Sequence, residues 1–141
     1  MTNRLSKQYQ KYQQAEGTTD DPCGDCYRTA IACLLEMERD EVPHFVHLYP
    51  EELAWWWASV KFIEMIRPGW TLRVGDPEFP FYHPKNRIAP KKVIGVGRSP
   101  RGEFGHAVIL SALTGVLIHD PYPGNAGLRT LDQIFFLRPA E

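Results

Sequence analysis

The hydrophobic pattern of this chain changes period part-way along, and that change restricts the fold more than any other feature. Up to Pro68-Gly69 the apolar residues recur at helical spacing, as in Ala30, Ile31, Leu34, Leu35 and Met37. Beyond Pro90 they alternate with period two, as in Val93 to Val96, Val108 to Leu110 and Ile134 to Leu137. Helices first and strands later, with short sequential connections, predict an α+β domain whose N-terminal helices pack on a small antiparallel sheet.

The expected elements follow from local signals. Asp25 is the expected N-cap of a helix from about Cys26 to Met37, closed by Asp40-Glu41-Val42-Pro43. His44 to Tyr49 reads as a linker. A second helix is expected from near Pro50, with Glu51 and Glu52 in its first turn, to Ile66. Its Trp55-Trp56-Trp57 run cannot all face one core, so at least one ring is expected to be exposed or to line a groove. Strands are expected at Trp70 to Val74, Lys92 to Val96, His106 to Ser111, Val116 to His119 and Ile134 to Leu137. A turn at Thr114-Gly115 makes a hairpin of the third and fourth. Glu78 to Pro90 reads as a long surface loop, and Pro121 to Gly127 as a Pro/Gly-rich one. Residues 1–21, polar and nearly free of aliphatics, read as a flexible or marginally helical arm that Tyr9 and Tyr12 are placed to pin; residues 22–141 form the single domain.

Composition narrows the function. With 141 residues, 43% hydrophobic and a formal net charge of −1, the chain has the make-up of one globular domain, with no basic bias toward nucleic acid or anionic membranes. No apolar run reaches the length of a membrane span, and residues 1–17 are not signal-like. The three cysteines, an odd number clustered between Cys23 and Cys33, do not form a dispersed disulfide framework, so a reducing, cytoplasmic setting is expected.

The chemistry concentrates in Asp21 to Ala32, where a turn-rich loop runs into a helix with Cys26 at the junction. A thiol in the first helical turn meets the positive end of the macrodipole, which favours thiolate. Cys26 also falls on the side of Ala30 and Cys33, facing the protein body. Nucleophilic catalysis by such a thiol needs an imidazole and a group to orient it. His106 opens one strand of the expected hairpin and Asp120 closes the other, so the two are expected at the same end of the sheet. Backbone N–H groups at the helix start would serve a developing oxyanion.

The stretches Gly24-Asp25-Cys26-Tyr27-Arg28-Thr29-Ala30-Ile31-Ala32, Gly105-His106-Ala107-Val108 and His119-Asp120-Pro121, in that order, resemble the papain-like cysteine peptidases. The match is closest to small bacterial and phage versions, similar to the C39-like peptidases. Glu41-Val42-Pro43-His44-Phe45 and Gly97-Arg98-Ser99-Pro100-Arg101-Gly102 look like uncharacterised phage-type proteins of this kind. The resemblance implies Cys26 as nucleophile, His106 as general base and acid, and Asp120 as the orienting group. It implies hydrolysis of a peptide, isopeptide or related amide bond, a protein or peptide substrate, and no cofactor or metal. The family carries a Gln shortly before the Cys as oxyanion donor, where this chain has Asp20 and Asp21.

Other residues carry two readings. Asp20, Asp21, Asp25, Trp56, Arg98 and Arg101 are candidates for oxyanion or substrate contact. Arg98 to Gly102 is either a solvated turn or a basic rim selecting a carboxylate. Cys23 and Cys26 form a C-x-x-C pair, which in other settings binds zinc or cycles as a dithiol. Cys33 reads as core and His119 as structural. A non-catalytic binding or inhibitor protein on the same fold is the alternative from another class.

Overall fold

The computed structural model describes residues 4–12, 24–81 and 90–140. It is a mixed α+β fold with three α-helices and a five-stranded antiparallel sheet. The helices are α1 (Cys26–Leu35), α2 (Phe45–Leu48) and α3 (Ala54–Ile66). The strands are β1 (Trp70–Gly75), β2 (Lys92–Arg98), β3 (Gly105–Ser111), β4 (Leu117–His119) and β5 (Gln133–Pro139), in the order β1-β5-β2-β3-β4. No helix among the described residues is long and apolar enough to cross a membrane.

The runs of apolar residues in the strands are explained by the covering of both sheet faces. On one face Leu72, Ile94, Ala107, Ile109 and Phe135 pack with Ala30, Ile31 and Leu35 of α1 and Val60 and Ile63 of α3. On the other, Val93, Val108, Leu110, Ile134 and Phe136 are covered by Phe79, Phe81, Leu128 and Leu131. The side chains alternate as strands require, but neither side is left polar. The Glu78 to Pro90 loop thus contributes Phe79 and Phe81 to a core, and the Phe81 N–H donates to the Ala112 carbonyl at 2.7 Å. Its residues 82–89 lie outside the described residues.

Several boundaries differ from the sequence reading. Helix α1 stops at Leu35 because Glu36 takes a left-handed conformation (φ 55°), its N–H donating to the Ala32 and Cys33 carbonyls. The expected linker at His44 to Tyr49 contains α2, one turn held by the burial of Phe45. Helix α3 starts at Ala54 and not near Pro50, because Leu53 is left-handed (φ 65°) and breaks the helical path. Glu51 and Glu52 therefore precede the first turn. Of the three tryptophans, Trp57 is exposed, while Trp55 and Trp56 lie against Phe135.

The described part of the N-terminal arm, residues 4–12, is docked rather than free. The Gln8 side chain donates to the Leu5 and Met37 carbonyls, and its Oε1 accepts the Arg39 N–H. The Gln10 N–H donates to the Pro121 carbonyl at 3.0 Å. The Tyr12 N–H donates to Asp25 Oδ1 at 2.7 Å. Polar residues bind this segment, so its lack of aliphatics gave no sign of the docking.

Gly97, paired with His106 across β2 and β3, faces the loop before β5 at very close range. A Cβ there would lie 1.8 Å from the Thr130 carbonyl oxygen. Gly97→Ala is expected to destabilise the fold by about 1–3 kcal/mol, as overpacking against backbone does. Urea denaturation measures this; an unchanged midpoint would show that the loop yields freely.

Candidate active site

Three elements bring the site together. Cys26 is the first residue of α1, half-buried against the core that α1 makes with the sheet. His106 is the second residue of β3 and Asp120 follows directly on β4. The last rungs of the hairpin pair Leu110 with Leu117 and Ile109 with His119, around a register shift. His106 and Asp120 therefore meet beyond the last paired rung, not as directly opposed residues.

The contact itself is short and enclosed. His106 Nε2–H donates to Asp120 Oδ1 at 2.6 Å, with 1% of the imidazole and none of the carboxylate exposed. The Cys26 thiol interacts with the same ring, raising its pKa. Asp120 occupies Nε2, which leaves Nδ1 for the thiol. Burial disfavours charge on His106, but the hydrogen bonds to Asp120 and Cys26 and their charges outweigh it, so its pKa is raised to about 9. Burial alone would push the Asp120 carboxyl up; the hydrogen bond and charge of His106, with two backbone donors, hold it below its usual range.

Those backbone donors define the role of Asp120. Oδ1 accepts the Tyr122 N–H at 2.9 Å as well as the His106 proton, and Oδ2 accepts the Gly127 N–H at 2.8 Å. Three donors and no acceptor converge on this side chain, which suits a carboxylate with acceptor sites on both oxygens. The Tyr122 bond, from a side chain to the N–H two residues on, is the Asx pattern that Asp-Pro-Tyr favours.

Asp25 occupies the N-cap position but makes no side-chain cap bond. Its carboxylate, fully buried, accepts the Tyr12 N–H and pairs with Arg28 Nε at 2.9 Å. Its carbonyl accepts the Thr29 N–H and hydroxyl. The expected cap is thus a tether to the N-terminal segment, and Asp25 is engaged away from any substrate role.

The remaining candidates separate. Trp56 meets the Phe135 ring at a tilt, with centroids 4.7 Å apart, in the contact between α3 and β5. Arg98 is exposed and pairs with Glu103 at 3.0 Å, which Arg129 also contacts at 3.0 Å. The Arg101 guanidinium lies over the Tyr122 ring, 3.4 Å from its centroid. Asp20, Asp21 and Cys23 lie outside the described residues. His119 donates from Nε2 to the Gln8 carbonyl and meets Tyr9 edge-on. Cys33 is buried, and burial raises its thiol pKa. Among the described residues no three His, Cys, Asp or Glu side chains are grouped to hold a metal ion.

Tyr122 and Gly127 were not among the residues singled out from sequence, and Tyr12 was singled out only as a pin for the N-terminal arm. The Asp-Pro-Tyr turn carried a signal for Tyr122, whereas Tyr12 and Gly127 act through backbone N–H groups that no residue type announces. Comparison with family models, with curated proteins and with solved structures gave no match.

Proposed function

We propose that this chain is a papain-like cysteine hydrolase that cleaves a peptide, isopeptide or related amide bond through a thioester on Cys26. The observation that carries the reading is the convergence of Cys26, His106 and Asp120 from three separate elements. His106 Nδ1 takes the thiol proton and the sulfur attacks the carbonyl carbon. The imidazolium then protonates the leaving amine, and the acyl group remains on sulfur. Water, deprotonated by the same ring, releases the acid and restores the thiol. Asp120 holds the imidazole with Nε2–H toward itself and Nδ1 toward sulfur, and supports the charge on the ring.

The oxyanion donors are the first-turn N–H groups of α1. A helix start has N–H groups without intrahelical partners. The Asp25 carboxylate is drawn off by Tyr12 and Arg28 and makes no cap bond to them. They belong to the turn that begins with the thiol-bearing residue, which suits them to the need that a glutamine serves in the family.

Alkylation by iodoacetamide at pH 7 tests the reading, followed site by site by peptide mass mapping. Cys26 is expected to react roughly tenfold or more faster than an ordinary thiol, with the advantage lost in His106→Ala. Reaction of Cys26 at the rate of a free thiol in the unmodified protein would remove the basis for a hydrolase.

A further inference from the structure

We infer that Arg101 is the receptor for a carboxylate on the substrate, close to the bond that Cys26 attacks. The inference rests on the hydrolase reading and deepens it by naming a substrate class.

Arg101 sits on the connection between β2 and β3, and this loop is fixed. The Ser99 N–H donates to the Phe104 carbonyl at 2.9 Å, Ser99 is fully buried, and its hydroxyl accepts the Arg101 N–H at 3.0 Å. The loop ends where β3 begins, one residue before His106. The guanidinium in turn lies over Tyr122, whose N–H binds the Asp120 oxygen that holds His106. A continuous line of contacts therefore runs from Arg101 through Tyr122 and Asp120 to the imidazole beside Cys26.

Among the described residues the guanidinium has no anion partner. Arg4, Arg28, Arg39, Arg98 and Arg129 each pair with an Asp or Glu. Arg101 Nε and Nη1, by contrast, are buried and have no hydrogen-bond partner among the described residues. Asp120 is not their partner: its oxygens accept from His106, Tyr122 and Gly127. Donors on a cation that are shut off from water without an acceptor are costly, and native structures rarely leave them so without a reason. A carboxylate across Nη1 and Nη2, or across Nε and Nη2, supplies one of the missing acceptors in the bidentate geometry that arginine favours. The stack on Tyr122 holds the fork in place before the carboxylate arrives, which lowers the ordering cost of binding.

Two alkylating agents of similar size separate charge from reactivity. Iodoacetamide is neutral and iodoacetate carries a carboxylate, so the ratio of their rates at Cys26 reports capture of the anion. The ratio of iodoacetate to iodoacetamide is expected to fall roughly tenfold in Arg101→Gln, the value of one charge-assisted pair. Arg101→Lys, which keeps the charge but not the fork, is expected to fall between. Thermal midpoints of both variants establish that they are folded. Equal ratios in all three proteins would overturn the inference while leaving fast iodoacetamide labelling, and so the hydrolase, intact. Slow iodoacetamide labelling of the unmodified protein would instead overturn the hydrolase, and the inference with it.

Protection of Cys26 from iodoacetamide then identifies the source of the carboxylate. An amidated peptide bearing Glu, its Gln counterpart, and the Gln peptide with a free C-terminus are compared. Protection by the first alone assigns a side-chain carboxylate, and by the third alone a terminal one. Equal protection by all three contradicts recognition of a carboxylate.

Discussion

Replacing Asp120 with Ala is expected to cost about 3–5 kcal/mol of stability, the cost typical of breaking a buried hydrogen-bonded ion pair. It is also expected to slow reaction of the Cys26 thiol with an amide substrate by roughly 10²–10⁴-fold. The residue accepts from His106 and from the Tyr122 and Gly127 N–H groups, so truncation strips three buried donors of their acceptor at once. The more discriminating variant is Asp120→Asn. An amide has one oxygen, and its NH₂ must face at least one of the converging donors. A cost of about 1–3 kcal/mol is therefore expected even though the shape is kept. Chemical denaturation gives the stabilities, and single-turnover kinetics the rates. An Asn variant as stable and as fast as the original would show that the carboxylate charge is not what the site requires.

The dependence of stability on pH carries the second large effect. His106 has a pKa of about 9 in the folded protein against an ordinary 6.5. Its contribution is fully present below about 6.5 and is lost as pH rises through about 9. The gap corresponds to an order of magnitude of about 3 kcal/mol. Asp120 acts in the opposite sense. Its carboxyl lies below its ordinary value, so its contribution is present above the usual carboxylate range and is lost as pH falls through the lowered folded value. Denaturation midpoints are thus expected to be highest in mildly acidic solution and to decline through the alkaline range. His106→Ala should remove most of the alkaline decline; if the decline persists undiminished, the titrating group lies elsewhere.

How far the sequence disclosed this arrangement depended on the range of the interactions involved. The strands were legible because Val93 to Val96 and Val108 to Leu110 carry a period-two pattern, and α1 because its apolar stripe recurs at helical spacing. The one-turn helix α2 has too few residues to show a period, and its formation depends on the burial of Phe45 in a core built mainly by other elements. The start of α3 was misplaced because the left-handed Leu53 overrides the helix-initiating pattern at Pro50-Glu51-Glu52. Within the site, the order Cys26, His106, Asp120 pointed to the residues that now touch. The duty of Asp25 did not show, because its partner Tyr12 acts through a backbone N–H that is the same for almost every residue type.

The docked N-terminal segment has a mechanical meaning. Gln10 is bonded to Pro121, the neighbour of Asp120, and Tyr12 is bonded to Asp25, the neighbour of Cys26. One short strap therefore grips the chain beside the base-orienting carboxylate and again beside the thiol, two points that otherwise belong to different layers of the molecule. The positions of nucleophile and imidazole are then held partly by a peptide that contributes no group to the chemistry. Severing or peeling that strap would slacken both ends together, so proteolysis near the N-terminus would act on the reaction geometry as a whole.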